Sequence, residues 1–295
     1  MAIVGRPNVG KSTLLNRLLG QKLAITSHKP QTTRGRVLGI LTQKDFQIAL
    51  VDTPGLHEAR GGLNARMVES ALQTLSDADA ALFLIEAGSP AIDGPTRKAL
   101  ELVLKARKPT FLVVNKIDEV QRPSLLPLID RWRGEHAWTE VYPLSALKGE
   151  NVEQFPAAIA KHLPLGPPLF PEGVWTDTSE RDLCAELIRE QILRRTEQEV
   201  PYSSAVLIEA FDEAQRETGT HGLVRIHATI LVERDSQKSI LIGKGGSMLK
   251  DIGQGARQGM ERLLGCKVFL ELHVRVEPGW TESEQGLAKA GYTKS

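Results

Sequence analysis

The sequence predicts an α/β domain with a mostly parallel six-stranded sheet and helices on both faces, followed by a smaller α+β domain. Through the first half, short apolar runs alternate with stretches of helical period, the pattern of strand–helix units. Pro164, Pro167, Pro168 and Pro171 then crowd together beside Gly166 and Gly173, and beyond them the pattern changes. The expected division is 1–165 for the first domain, 166–178 for a linker and 179–295 for the second domain with its tail.

In chain order, Ala2–Val4, Phe46–Val51, Ala80–Ile85, Thr110–Val114 and Val141–Leu144 are apolar enough to be buried strands. Val37–Thr42 and Phe46–Val51 are joined by the short turn Gln43–Asp45, so they predict a hairpin and one antiparallel strand. Thr13–Leu19, Thr96–Lys105 and Val152–His162 have helical spacing. In the second half, Asp177-Thr178-Ser179 offers a helix cap, and Leu183, Leu187, Ile188 and Ile192 form one apolar face behind it. Alternating segments follow at Ser204–Phe211 and Leu223–Val232. A helical stretch is then interrupted at Gly243–Gly246 and resumes through Leu264. In Lys267–Val276, apolar residues occupy every second position. The order is helix, strand, strand, helix, helix, strand.

Composition narrows the classes. With 295 residues, 41% hydrophobic and 25% charged, the chain can bury a core without disulfide or metal staples. Cys184 and Cys266 fall in no CxxC pattern, and two reduced thiols are expected. No apolar run approaches the roughly 18 residues of a membrane helix, and no signal peptide precedes Gly5, so a cytoplasmic protein is expected. Net charge is +1, and the residues beyond about 165 hold 16 basic and 20 acidic side chains, so a polyanion site there requires a local patch.

Four motifs follow successive strands. Gly5-Arg6-Pro7-Asn8-Val9-Gly10-Lys11-Ser12 matches GxxxxGK[ST] between a strand and a helix. Its glycines let backbone N–H groups close around phosphate at a helix N-terminus, with Val9 and Thr13 in the same wrap. Lys11 reaches the β- and γ-phosphates, and Ser12 ligates Mg²⁺. Asp52-Thr53-Pro54-Gly55 ends the next strand, where Asp52 holds Mg²⁺ and the Gly55 amide meets the γ-phosphate. In Asn115-Lys116-Ile117-Asp118 the carboxylate of Asp118 accepts from guanine N1–H and the 2-amino group. Adenine lacks both donors and would leave it desolvated and unpaired. Ser145-Ala146-Leu147 completes the base pocket, with the Ala146 N–H directed at guanine O6. The ligand pair is therefore GTP and GDP.

Gln31-Thr32-Thr33-Arg34 is polar and precedes the hairpin; a threonine there ties the loop to Mg²⁺ and the γ-phosphate, and Thr33 is favoured over Thr32. Lys11, Thr33 and Gly55 are the expected catalytic contacts. Many GTPases place a glutamine directly after this DxxG to orient water, but Leu56 stands here. His57, backbone, a cation or a partner must supply that function, and unassisted turnover is expected on the order of 10⁻⁴–10⁻² s⁻¹. His28, His221 and His227 read as ordinary loop or strand residues.

Ile240-Leu241-Ile242-Gly243-Lys244-Gly245-Gly246 places a GxxG loop between two helices. In type II KH domains, such a loop clamps about four single-stranded nucleotides; a protein-docking connector would have the same local sequence. The predicted element order and a local basic excess, which includes Arg234, Lys238, Lys244, Lys250 and Arg257, favour RNA. Lys238, Ile242, Gly243, Lys244, Gly245, Gly246 and Lys250 are the candidate RNA contacts.

Together these segments resemble the Era GTPases, bacterial ribosome-assembly proteins. GRPNVGKSTLLN, QTTR, VDTPGLH, NKID and SAL stand in the family's order, as do FPEG and WTD in the linker, VPYS, ILVER, GKGG, and a GW…GY ending. The resemblance spans Gly5 to Tyr292. It implies a P-loop GTPase domain followed by a type II KH domain. It also implies binding to the 3′ end of 16S rRNA in the small (30S) ribosomal subunit, in the GTP state. Asn8 matches an asparagine that ligates K⁺ in related GTPases, which implies K⁺-stimulated hydrolysis beside the Mg²⁺ requirement. A monomer is expected. The family also carries a peripheral contact with the inner face of the cell membrane, although no amphipathic basic helix here supports one. Two features depart from the family: only Met1–Val4 precede the first glycine, which implies a shortened start, and Gly173-Val174-Trp175 stands where an acidic residue and a tyrosine are commoner.

Overall fold

A computed structural model of the chain describes residues 1–56, 62–89, 92–216 and 222–292. They form two compact units, one running to Asp177 and the other beginning at Thr178, with a short excursion of the second around Leu63.

The first unit comprises β1 (Ala2–Gly5), α1 (Lys11–Leu19), β2 (Val37–Thr42), β3 (Gln47–Asp52), α2 (Gly62–Asp77), β4 (Ala81–Glu86), α3 (Gly94–Lys105), β5 (Thr110–Asn115), α4 (Leu125–Arg133), β6 (Val141–Pro143) and α5 (Phe155–Ala160). The six strands lie in the order β2-β3-β1-β4-β5-β6. All neighbours are parallel except β2 and β3, which form the hairpin. β1, β4 and β5 are apolar on both faces because helices cover both, and their residues are almost wholly buried. Ala2 through Gly5 pair with β4, and Ala2 and Ile3 also pair with β3, so β1 is a central strand.

Two helices are not legible as such in the sequence. In α2, Leu63, Met67, Ala71 and Leu75 recur every four residues, and all four are buried. In α4, Pro127 falls in the first turn, where no backbone N–H is required. The helix expected over Val152–His162 contracts to α5, because Pro156 fixes its first turn.

Part of the predicted linker belongs to the first unit. The Ile40 N–H donates to the Trp175 carbonyl at 2.9 Å, and Thr176 Oγ1 donates to the Leu38 carbonyl at 2.7 Å. The Gln47 side chain accepts from the N–H groups of Leu169 and Phe170 and donates to the Phe170 carbonyl. Trp175 and Thr176 cover the edge of β2, whose unpaired backbone groups would otherwise face water.

The second unit contains α6 (Glu180–Arg195), β7 (Ala205–Gln215), β8 (Leu223–Val232), α7 (Asp235–Ile242), α8 (Ser247–Leu264), β9 (Lys267–Val276) and α9 (Glu284–Lys289). Ser179 caps α6 by accepting from the Asp182 N–H. β7 runs antiparallel to β8, and β8 parallel to β9. Alternate residues of β8 and β9 pack with α6 and α8 into one core that includes Ile188, Ile226, Ile230, Ile252 and Met260. Cys184, a free thiol like Cys266, lies in that core. Among the described residues, no helix is long and apolar enough to cross a membrane.

Candidate nucleotide site and RNA interface

All four nucleotide motifs emerge at the carboxyl ends of parallel strands, where α/β sheets of this kind bind their ligands. After β1, Gly5, Asn8 and Gly10 adopt positive φ angles of 147°, 66° and 95°. A Cβ on Gly5 would lie 2.6 Å from the Leu84 carbonyl oxygen, and one on Gly10 would lie 2.2 Å from Asn115 Nδ2. The loop can therefore close only with glycine at these positions. Asn8 donates its amide to the His28 carbonyl at 2.6 Å. Thr13 is half-buried in the first turn of α1, and Val9 is buried with its carbonyl accepting from Asn115.

Lys11 is buried, with Nζ donating to the Arg6 carbonyl at 2.9 Å and the Gly5 carbonyl at 3.4 Å. Burial lowers its pKa to about 8, against the opposing pull of Asp52. The Asp52 carboxyl is shifted upward by burial, a shift moderated by Lys11, Ser12 and Thr33. Ser12 Oγ is 2.5 Å from Asp52 Oδ2 and 2.9 Å from Thr33 Oγ1, which lies 3.2 Å from the same carboxylate oxygen. Three oxygens from separate elements thus converge. The second carboxylate oxygen, Asp52 Oδ1, is buried with no hydrogen-bond partner. A compact all-oxygen set with one anionic member suits Mg²⁺, which would also satisfy Oδ1. Thr32 instead turns its hydroxyl to the Lys29 carbonyl at 2.7 Å.

Gly55 lies against Pro7, where a Cβ would come within 2.7 Å of the Pro7 nitrogen. Leu56 is buried in the core between the sheet and its helices, and its N–H donates to the Gly5 carbonyl at 3.0 Å. An apolar side chain held in the core orients no water. His57 and His221 lie outside the described residues.

At the base pocket, Asn115 Nδ2 donates to the Val9 carbonyl at 2.8 Å, and its Oδ1 accepts from the Ala146 N–H at 2.9 Å. The N–H that the sequence directs at guanine O6 is therefore engaged by Asn115 in this structure, and a base must share it. Lys116 takes a left-handed conformation, φ 64°, and pairs with Glu86 at 2.5 Å. Asp118 is exposed in the short turn that follows β5. Ser145 is buried and accepts from the Lys148 N–H at 3.0 Å, whereas Leu147 is exposed. Sequence reasoning passed over Glu86, although its place at the end of β4 matches the rule that located the other motifs. It also passed over Arg17, which reaches the Ala146 carbonyl from α1 at 3.0 Å.

In the second unit, Gly243, Gly245 and Gly246 have φ angles of 72°, 61° and 80°. A Cβ on Gly243 would come 2.8 Å from that of Met248, so this position closes the turn. Gly245 and Gly246 have nothing within 4 Å of a Cβ and form the open tip of the loop. The tip leads into the N-terminus of α8, which favours anions. Lys244 and Lys250 are exposed, Lys238 and Ile242 half-buried, and Ile240 is 47% exposed beside them in sequence. The local chemistry is apolar surface next to basic side chains and a glycine tip.

Comparison with known proteins agrees with both halves. Residues 1–116 match the family described as 50S ribosome-binding GTPase, and residues 199–281 match the KH domain. GTPase Era of Syntrophus aciditrophicus is 47% identical over 294 residues, covering 100% of this chain and 94% of the relative. GTPase Era of Geobacter metallireducens is 48% identical, covering 99% of this chain and 97% of the relative. Among solved structures, an Era variant of Aquifex aeolicus bound to GDP·AlF4⁻ superposes with a TM-score of 0.93 at 42% identity, covering 99% of this chain and 98% of its own. A structure of Era in complex with MgGDPNP and nucleotides 1506–1542 of 16S ribosomal RNA matches equally well, with a TM-score of 0.93 and 42% identity over 99% of this chain and 98% of that one. The P-loop, the strand-end motifs and the KH unit thus occur together in near-full-length relatives, and the chain belongs to the Era GTPase family.

Proposed function

We propose that this cytoplasmic GTPase binds the 3′ end of 16S rRNA through its KH domain while GTP is bound, and that it assists assembly of the small (30S) ribosomal subunit as a monomer. The observation that carries the RNA part is the GxxG tip: positive-φ glycines open to solvent, lysines beside them and a helix N-terminus behind. The Era structure described with a GTP analogue and a 16S rRNA segment supports the same assignment.

In this reading Gly5, Asn8, Val9, Gly10, Lys11, Ser12 and Thr13 enclose the phosphates, while Asn115, Lys116, Asp118, Ser145, Ala146 and Leu147 hold guanine. Ser12, Thr33 and Asp52 hold Mg²⁺, which neutralises charge on the β- and γ-phosphates when bound. Thr33 stands four residues before β2, the strand to which Trp175 and Thr176 are bonded. Ordering of the Thr33 loop by GTP therefore acts on the strand that holds the segment leading into the KH domain. Asn8 commits its amide nitrogen to His28, so its amide oxygen is the atom a K⁺ ion would meet. GTP turnover that is unchanged when K⁺ is replaced by Na⁺ would remove K⁺ from the scheme.

The test is anisotropy of a labelled RNA from the 3′ end of 16S rRNA, with wild type and Gly245→Asp, each loaded with GDP or GDPNP. Aspartate tolerates φ near 61°, and its side chain meets open space, so the variant folds and places a negative charge at the tip. Tight binding only by wild type with GDPNP is expected. Equal weak binding in all four cases refutes a GTP-gated RNA site.

A further inference from the structure

We infer that Arg17 is a positioning residue for the guanine pocket, holding the Ser145–Leu147 turn in register with the phosphate loop; this rests on the GTP site proposed above. Arg17 projects from the last turn of α1, the helix that the phosphate loop opens. Its Nε donates to the Ala146 carbonyl at 3.0 Å, and its Nη2 donates to the Leu147 carbonyl. A guanidinium fork matches two successive carbonyls as an ammonium cannot.

Among the described residues, the turn's own hydrogen bonds engage Ser145 rather than these two carbonyls. Within it, the Ser145 carbonyl accepts from the Gly149 N–H and the Ser145 N–H donates to the Glu150 carbonyl. The guanidinium comes from outside the turn to bind the next two carbonyls. Gly149 lies alongside the guanidinium, where a Cβ would meet Arg17 Nη1 at an ordinary contact distance of 3.6 Å; its φ of 82°, rather than the space, is what favours glycine there. Ala146 is thus held on both sides, its N–H by Asn115 at 2.9 Å and its carbonyl by Arg17. Asn115 in turn donates to Val9 in the phosphate loop, from which the chain runs directly into α1 and back to Arg17. This closed circuit fixes the distance between the phosphate and base subsites. With Arg17 removed, Ala146 keeps the Asn115 bond to its N–H but loses the anchor on its carbonyl, so that N–H is aimed less firmly at O6 of a bound base.

The experiment measures affinity and dissociation rate for GDP and for 2-aminopurine riboside diphosphate, which lacks O6 and the N1–H, with wild type, Arg17→Ala and Arg17→Lys. Only the change in preference between wild type and variants is read as the O6 contact. GTP turnover at saturation and thermal midpoints are recorded alongside. The expected result is about tenfold weaker GDP binding in both variants, through faster release. The preference for GDP over the O6-less analogue should shrink, while kcat and the thermal midpoint stay near wild type. Lysine keeps the charge and the helix but not the fork, so its failure to rescue separates positioning from electrostatics. Unchanged GDP affinity, or equal losses for both nucleotides, overturns the inference. Failure of the wild type itself to prefer GDP would instead defeat the guanine assignment.

Discussion

At the scale of single residues, the proposed nucleotide site assigns closure of the phosphate loop to Gly10 and base specificity to Asp118. Gly10→Ala forces a Cβ to within 2.2 Å of Asn115 Nδ2 on a backbone with φ 95°. Asn115 must then yield its bonds to Val9 and Ala146, and together with the backbone strain this should weaken GDP binding roughly 100-fold, about 3 kcal/mol. Titration with a fluorescent GDP analogue measures it. Asp118→Asn puts an amide where guanine presents two donors. GTP affinity should fall roughly 100-fold or more, and xanthosine triphosphate, which offers a carbonyl at C2, should gain. Competition binding with the two nucleotides decides it. Both residues were legible in the sequence, because phosphate and guanine admit few residue types at fixed spacing. Arg17 and Glu86 were not, because an arginine on an amphipathic helix and a glutamate at a strand end look like ordinary surface residues until their partners in distant segments are known.

Elements show where local pattern suffices and where packing decides. The KH order was readable from alternation in Leu223–Val232 and Lys267–Val276, since each strand buries one face against helices. The tail was not. Trp280 is fully buried, donates to the Ser203 carbonyl at 3.0 Å and stacks on Tyr292 with ring centroids 6.0 Å apart. Trp280→Ala should cost about 3–5 kcal/mol of stability, and Trp280→Phe about 1 kcal/mol from the orphaned carbonyl; chemical denaturation followed by circular dichroism gives both values. In α6, burial pushes the Cys184 thiol up to about 12 from its ordinary value of 9.0. Its contribution to stability is therefore complete below pH 9 and is lost as pH rises towards 12, because the unfolded chain ionises first. Iodoacetamide at pH 8 should label Cys266 well before Cys184 in the native protein and both equally in denaturant; equal native rates would contradict this burial.

For the molecule as a whole, the segment between the two units joins the GTPase half to the KH half. The proline-rich composition of 166–178 predicts a linker; Leu169 and Phe170 are bonded to Gln47, Trp175 and Thr176 to β2, and the Val174 N–H turns back to the Pro171 carbonyl between them. Gln47→Ala should speed amide hydrogen exchange at Leu169 and Phe170 about tenfold, since both N–H groups lose their acceptor. If this segment transmits the GTP signal, Thr176→Val should narrow the difference in RNA affinity between GDPNP and GDP forms, with turnover of GTP unchanged. A ratio equal to wild type would place the coupling elsewhere. The sequence by itself determined the two-domain division, the strand–helix grammar and the motif positions. Those rest on hydrophobic period and on chemistry that only a few residue types perform. Tertiary structure alone decided that Asn115 engages the Ala146 N–H, that Arg17 bonds the base turn, and that Trp175 and Thr176 cover a sheet edge. Each of these depends on contacts between segments far apart in the chain, and no local pattern encodes such distances.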